Sequence, residues 1–211
     1  MFIVMIKENL LKKVKNIYYF INYKKFNPKI NFKEVDKVLF VAHPDDELIF
    51  FYNKLVNEKG WLVVCMTNGD SRLRGVEFVN LMNHLGVKYK ILNKPDGLKE
   101  IFDEKEVSAI IKEILSKKEC WVNVATHNIE GEYGHNQHKQ LNKIVKEVYN
   151  GKITVPIYIY NLIDEKNKLN KAELDNKKYL FESYYKSQIE MLNYLKDYFL
   201  YENTIVEDKN I

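Results

Sequence analysis

Short apolar runs alternate with longer amphipathic stretches from about residue 37 to residue 160, and this alternation predicts the fold. Residues 38–42 (Val38, Leu39, Phe40, Val41, Ala42) form an unbroken apolar run, the pattern of a strand covered on both faces. Pro44 ends it and suits the first turn of a following helix, so a helix is expected over 46–57 with His43 in the connecting loop. The same reasoning predicts strands over 61–67, 88–92, 120–125 and 154–160, and helices over 75–85, 104–117 and 135–149. Strand and helix in alternation imply an α/β class: one Rossmann-like domain whose central, mostly parallel sheet is flanked by helices.

The ends of the chain read differently. Residues 1–34 mix lysines with Leu10, Leu11, Val14, Ile17, Tyr18 and Ile21, the spacing of an amphipathic helix. Such a stripe ordinarily covers the domain's flank or a second subunit, and its basic, aromatic face would also suit peripheral contact with an anionic membrane. Residues 161–172 read as a polar loop, 173–200 as an aromatic-rich helical stretch and 201–211 as a loose tail. The expected division is therefore 1–34, a domain over 35–200, and a tail over 201–211.

Composition narrows the function. With 211 residues and 46% hydrophobic content, the chain can bury one sizeable core. Its charge of +4, from 33 basic and 29 acidic residues spread along the sequence, gives no reason to expect nucleic acid as a partner. No apolar run approaches the roughly eighteen residues of a membrane span, and the apolar block at residues 1–6 is too short for a signal peptide. Cys65 and Cys120 both sit in apolar runs, as small buried thiols do in a reducing compartment, so a cytoplasmic protein is expected.

In a parallel α/β sheet the strand-to-helix loops gather on the carboxyl edge, where ligands bind. Those loops hold residues 43–46, 68–74, 94–97 and 127–135, with four of the eight glycines. Arg72 and Arg74 are the only arginines, which points to a need for a planar fork in that loop. Asp45, Asp46 and Glu47 fall at a helix start, where the dipole favours ionised carboxylates. That position suits a metal ligand or a general base, and equally an ordinary helix start. His135 and His138 share a helix face, and with His43 and Asp46 they offer the two-imidazole, one-carboxylate composition of a catalytic zinc site. Alone, that histidine pair reads more readily as an exposed pair without a ligand; the four matching loops together reverse that preference.

Ala42-His43-Pro44-Asp45-Asp46-Glu47 and Gly134-His135-Asn136-Gln137-His138 resemble the PIG-L (LmbE-like) family of zinc-dependent N-deacetylases. Arg74 with Glu77, Pro95-Asp96-Gly97, Thr126 to His138 and Tyr185-Lys186-Ser187-Gln188 extend the likeness over most of residues 37–190. The resemblance implies His43, Asp46 and His138 as zinc ligands and Asp45 as general base. It implies His135 as the general acid or a stabilising imidazolium, Tyr133 as a group polarising the acetyl carbonyl, and Arg74 and Asp96 as substrate-binding residues. The implied reaction is removal of acetate from an N-acetylglucosamine-type (N-acetylhexosamine) conjugate. Iron or another divalent ion could replace zinc in such a site. Open alternatives are an amidase of the same family acting on a thiol conjugate, and a noncatalytic sugar-binding module. One departure stands out: many relatives carry Pro-Asp where this chain has Asn136-Gln137, which removes a carboxylate expected to orient a ligand histidine. Glu47 reads as a helix-start carboxylate, and His127 as either a pocket residue or a bystander.

Overall fold

The computed structural model describes residues 27–97 and 99–208; the amphipathic helix expected around residues 10–21 lies outside them. Six strands, β1 (Lys37–Val41), β2 (Trp61–Thr67), β3 (Lys88–Lys94), β4 (Asn123–Ala125), β5 (Ile153–Pro156) and β6 (Thr204–Glu207), form one sheet in the order β3-β2-β1-β4-β5-β6. All neighbours are parallel except the β5–β6 pair. The helices are α1 (Asp46–Asn57), α2 (Arg74–Leu85), α3 (Glu104–Leu115), α4 (Asn136–Val148), α5 (Ile159–Leu162), α6 (Lys171–Tyr184), α7 (Met191–Tyr194) and α8 (Lys196–Leu200).

Period-two alternation sorts the strand side chains between two cores. Leu39 and Val41 of β1 join Val63 and Cys65 of β2 against α1, α2 and α6. Val38, Phe40, Leu62 and Val64 join the opposite core against α3 and α4. Covered on both faces, β1 and β2 have no reason to alternate polar with apolar, which explains their continuous apolar runs. Strand order reverses between β1 and β4, so the loops after these two strands flank the crevice where open α/β sheets bind ligands.

The expected helices and parallel strands form, but the strand expected over 120–125 begins only at Asn123 and leaves Cys120 exposed, and the one expected over 154–160 ends at Pro156, with residues 159–160 in α5. The further departures lie near the C-terminus. The stretch expected to be a loop over 161–172 contains the end of α5 and a short 3-10 turn at Glu165–Asn167. The helical stretch breaks at Tyr185, whose hydroxyl binds Glu47 while Ser187 binds Glu77. The tail expected from residue 201 instead supplies β6, which pairs antiparallel with β5 from Ile153↔Glu207 to Pro156↔Thr204. A four-residue edge strand carries too little periodic signal to show in the sequence, and its pairing depends on the exposed edge of β5.

Helix α1 carries a second long-range contact. Phe51 is non-helical (φ −135°, ψ 21°), so the helix kinks there. Ile49 C=O and Asn53 N–H, the pair an unbroken helix would join, are bound by two buried side chains: Lys177 Nζ donates to Ile49 O (2.7 Å) and Asn53 N–H donates to Glu202 Oε1 (2.7 Å). Lys177 also donates to Glu202 Oε2 (2.6 Å) and to Tyr198 O (2.8 Å). All three ammonium protons have acceptors, which is what burying an unexposed lysine requires.

Candidate active site

The loop after β1 is unusual in its backbone. Asp45 has φ 104°, a region that a non-glycine residue adopts only when its surroundings hold it there. Those surroundings are visible: Glu47 Oε2 accepts the Asp45 N–H at 3.2 Å, and Arg74 Nη2 donates to Pro44 O at 3.0 Å. Arg74 Nη1 also donates to Asp96 Oδ2 at 2.7 Å, and Nη2 lies 3.5 Å from Asp45 Oδ1. One guanidinium thus spans the loops after β1, β2 and β3, a geometry that a lysine's single ammonium would not reproduce.

Three ligand-capable atoms converge at the reversal point. His43 Nδ1 lies 3.2 Å from His138 Nε2 and 3.3 Å from Asp46 Oδ2, and His138 Nε2 lies 3.3 Å from the same oxygen. Bonds of about 2.0–2.1 Å to a tetrahedral ion would set its ligand atoms about 3.3 Å apart, so this triangle fits a metal. Among the described residues, two overlapping groups that could hold a metal share His138: His43 with His135, and Asp46 with His127. His127 Nε2 already accepts the Ala42 N–H at 3.0 Å, and its Nδ1 meets Glu132 Oε2 at 3.0 Å. His127 therefore completes the end of β1 and has no lone pair left over for an ion.

Two residues that sequence reasoning missed hold the ligand rings from outside. Glu132 Oε2 lies 2.7 Å from His138 Nδ1, and Gln137 Oε1 lies 2.8 Å from His43 Nε2. The carboxylate that Asn136-Gln137 seemed to remove is thus present, supplied by the preceding turn. Consecutive left-handed residues, Gly131 (φ 67°) and Glu132 (φ 55°), turn it inward. A Cβ on Gly131 would lie 2.5 Å from His135 O, so that position admits only glycine. The Gly-Glu pair at a turn was the available signal.

Burial separates the three acidic neighbours. It pushes Asp45 up to about 7 against the opposing pull of Arg74, and Glu47 up to about 8 despite the hydrogen bond from Tyr185. For Asp46 burial acts the same way, but the adjacent His138 and His127 rings, when protonated, outweigh it and hold the carboxyl well below its ordinary range. The helix-start effect expected for all three is overridden at Asp45 and Glu47. Nor is Glu47 a simple helix-start group: it is fully buried and bridges the Asp45 backbone to Tyr185. Burial and the neighbouring His138 and His43 rings push His135 down to about 4, so it is neutral at neutral pH.

A cavity of about 360 Å³ opens over this cluster, within the usual range of small-molecule sites. It is lined by His43, Asp45, Asp46, Arg74, Asp96, Tyr133 and His135, with Gln188, Met191 and Tyr194 forming a wall from the C-terminal stretch. Every residue to which the resemblance gave a catalytic, metal-holding or substrate-binding role lines it except His138, which is fully buried beneath His43 and His135.

Fold and site together define an α/β protein of LmbE-like fold with a buried His/Asp cluster at the carboxyl edge of its sheet. Residues 38–149 match the family described as PIG-L: GlcNAc-PI de-N-acetylase, and the chain belongs to this family. A protein of Acanthamoeba polyphaga mimivirus, L374, is 32% identical over 154 residues, which is 65% of this chain and 65% of that protein. The match thus spans just under two thirds of the viral relative. Among solved structures, a deacetylase triple mutant involved in the teicoplanin biosynthetic pathway superposes with a TM-score of 0.55 at 13% identity, covering 78% of this chain and 88% of that one. GalB, the 4-carboxy-2-hydroxymuconate hydratase of Pseudomonas putida KT2440, gives 0.53 at 12% identity, covering 82% and 95%. At such identities these two structures speak for the fold alone.

Proposed function

We propose that the protein is a divalent-metal-dependent N-deacetylase, with zinc the expected ion, that releases acetate from an N-acetylhexosamine conjugate. The observation that carries this reading is the 3.2–3.3 Å triangle of His43, Asp46 and His138 atoms, with Asp45 lining the same cavity. Family membership supports the amide-cleaving chemistry. The unit assigned to it runs from residue 35 to 200, closed at the sheet edge by β6.

An ion held by the triangle supplies Lewis-acid polarisation of the acetyl carbonyl and a water of lowered pKa. Asp45 accepts the proton of the attacking water, and a carboxyl held near 7 is matched to taking and returning a proton at neutral pH. The Tyr133 hydroxyl, kept protonated by burial, donates to the oxyanion as it develops. His135 is neutral at rest, so it protonates the leaving amine only with a proton acquired during turnover, the one Asp45 removed from water. Asp96, fixed by Arg74 and by Asn68 Nδ2 (2.7 Å), accepts from a sugar hydroxyl.

The test is acetate release from free, nucleotide-linked and lipid-linked N-acetylglucosamine, by metal-stripped protein and again after zinc is added. Zinc-restored release from any of the three is the expected result. Release that is indifferent to metal removal would overturn the metal-dependent reading, and zinc binding without release from any would overturn the substrate class.

A further inference from the structure

The protons on the two ligand imidazoles can be located from their outer partners. Gln137 Nε2 donates to Pro95 O at 2.7 Å, and a carbonyl oxygen only accepts. The amide is therefore oriented with Oε1 toward His43, and His43 Nε2 must carry the hydrogen between them. Asp96 Oδ1, 3.4 Å from the same nitrogen, is a second acceptor and agrees. On the other ring, Glu132 Oε2 faces His138 Nδ1, which must likewise be N–H. The other Glu132 oxygen accepts the Asn128 N–H at 2.8 Å, and Asn128 Oδ1 accepts the Glu132 N–H at 3.1 Å, so the carboxylate cannot rotate away. The two rings thus place their lone pairs, His43 Nδ1 and His138 Nε2, against each other and against Asp46.

We propose that Glu132 and Gln137 are positioning residues that hold the ligand histidines in opposite tautomers, His138 as Nδ1–H and His43 as Nε2–H, so that both lone pairs meet at one point. The proposal rests on the metal-site reading above. It also assigns the nearer acceptor on His43 to a neutral amide, 2.8 Å away against 3.4 Å for Asp96, and the acceptor on His138 to Glu132. Glu132 serves a second ring as well: His127 donates Nδ1–H to the same oxygen and stacks on His138 with centroids 3.7 Å apart.

The experiment is long-range nitrogen–proton NMR of the imidazoles in zinc-loaded protein, with zinc affinity measured by chelator competition, for wild type, Glu132→Gln and Gln137→Leu. In wild type, His138 should read as Nδ1–H with metal on Nε2, and His43 as Nε2–H with metal on Nδ1. The opposite tautomer on either ring in zinc-bound wild type overturns the proposal without any variant being needed. Glu132→Gln and Gln137→Leu should each weaken zinc about tenfold to a hundredfold, with the tautomer lost only on the ring that each one touches. Unchanged affinity with unchanged tautomers would also overturn it. Wild type that binds no zinc would instead sink the metal-site reading itself, a separate outcome.

Discussion

Two buried clusters in this molecule each join basic side chains to a carboxylate, and they differ in where their protons point. In the Lys177–Glu202 pair every ammonium hydrogen has an acceptor and both carboxylate oxygens are bound. That cluster is closed in its hydrogen bonds, and its role is to hold the kink in α1 and tie α6 and the segment before β6 to it. In the His/Asp cluster the outer ring nitrogens are equally satisfied, by Glu132 and Gln137, while the His43 backbone N–H donates to Asp46 Oδ2 (2.7 Å), the oxygen that faces the two rings. Its inner edge, by contrast, brings together two imidazole lone pairs and a carboxylate. Converging acceptors with their protons turned outward are unfavourable until a cation joins them. A proton inventory therefore separates a structural cluster from a functional one where residue types alone do not.

The comparison can be broken in several places. Asp45→Asn should lower acetate release by about 10²- to 10⁴-fold, the usual worth of a general base, and leave zinc stoichiometry unchanged. Loss of zinc together with activity would show that Asp45 belongs to the metal-holding set. Lys177→Met should cost about 3–5 kcal/mol in denaturant unfolding, because it strands the buried Glu202 carboxylate, with little effect on zinc affinity. A loss of zinc binding that exceeds the loss of folded protein would contradict the separation of the two clusters.

The smallest expected effect concerns Glu47. Its folded pKa of about 8 lies above the ordinary 4.5, so the folded state keeps a proton that the unfolded chain releases. The stability this gives is complete below pH 4.5 and is lost as pH rises through 8. Glu47→Gln should flatten the fall in stability between about pH 5 and pH 8, read as a melting temperature that varies less with pH than that of wild type. An unchanged slope would mean that burial does not keep the carboxyl protonated.

Much of the fold was legible because β1 and β2 are covered on both faces, and their apolar runs announce it. Pro44 marks the first loop, and right-handed crossover gathers the motif residues on one edge of the sheet. The rest depended on contacts distant in sequence. Nothing about a lysine in an aromatic helix says that its ammonium lies in the break of another helix, since the kink at Phe51 is itself set by that contact. Glu132 escaped notice because its direction depends on two successive left-handed residues. Gln137 read as a loss because its acceptor role appears only once Pro95 O orients the amide.

The most direct measurement is a zinc-loaded crystal structure with anomalous scattering data. The account predicts one ion per chain bonded to His43 Nδ1, His138 Nε2 and an Asp46 oxygen, at about 2.0–2.2 Å from each. An ion bonded to His127 or His135 in place of one of these three, or no ion at this cluster, would contradict it.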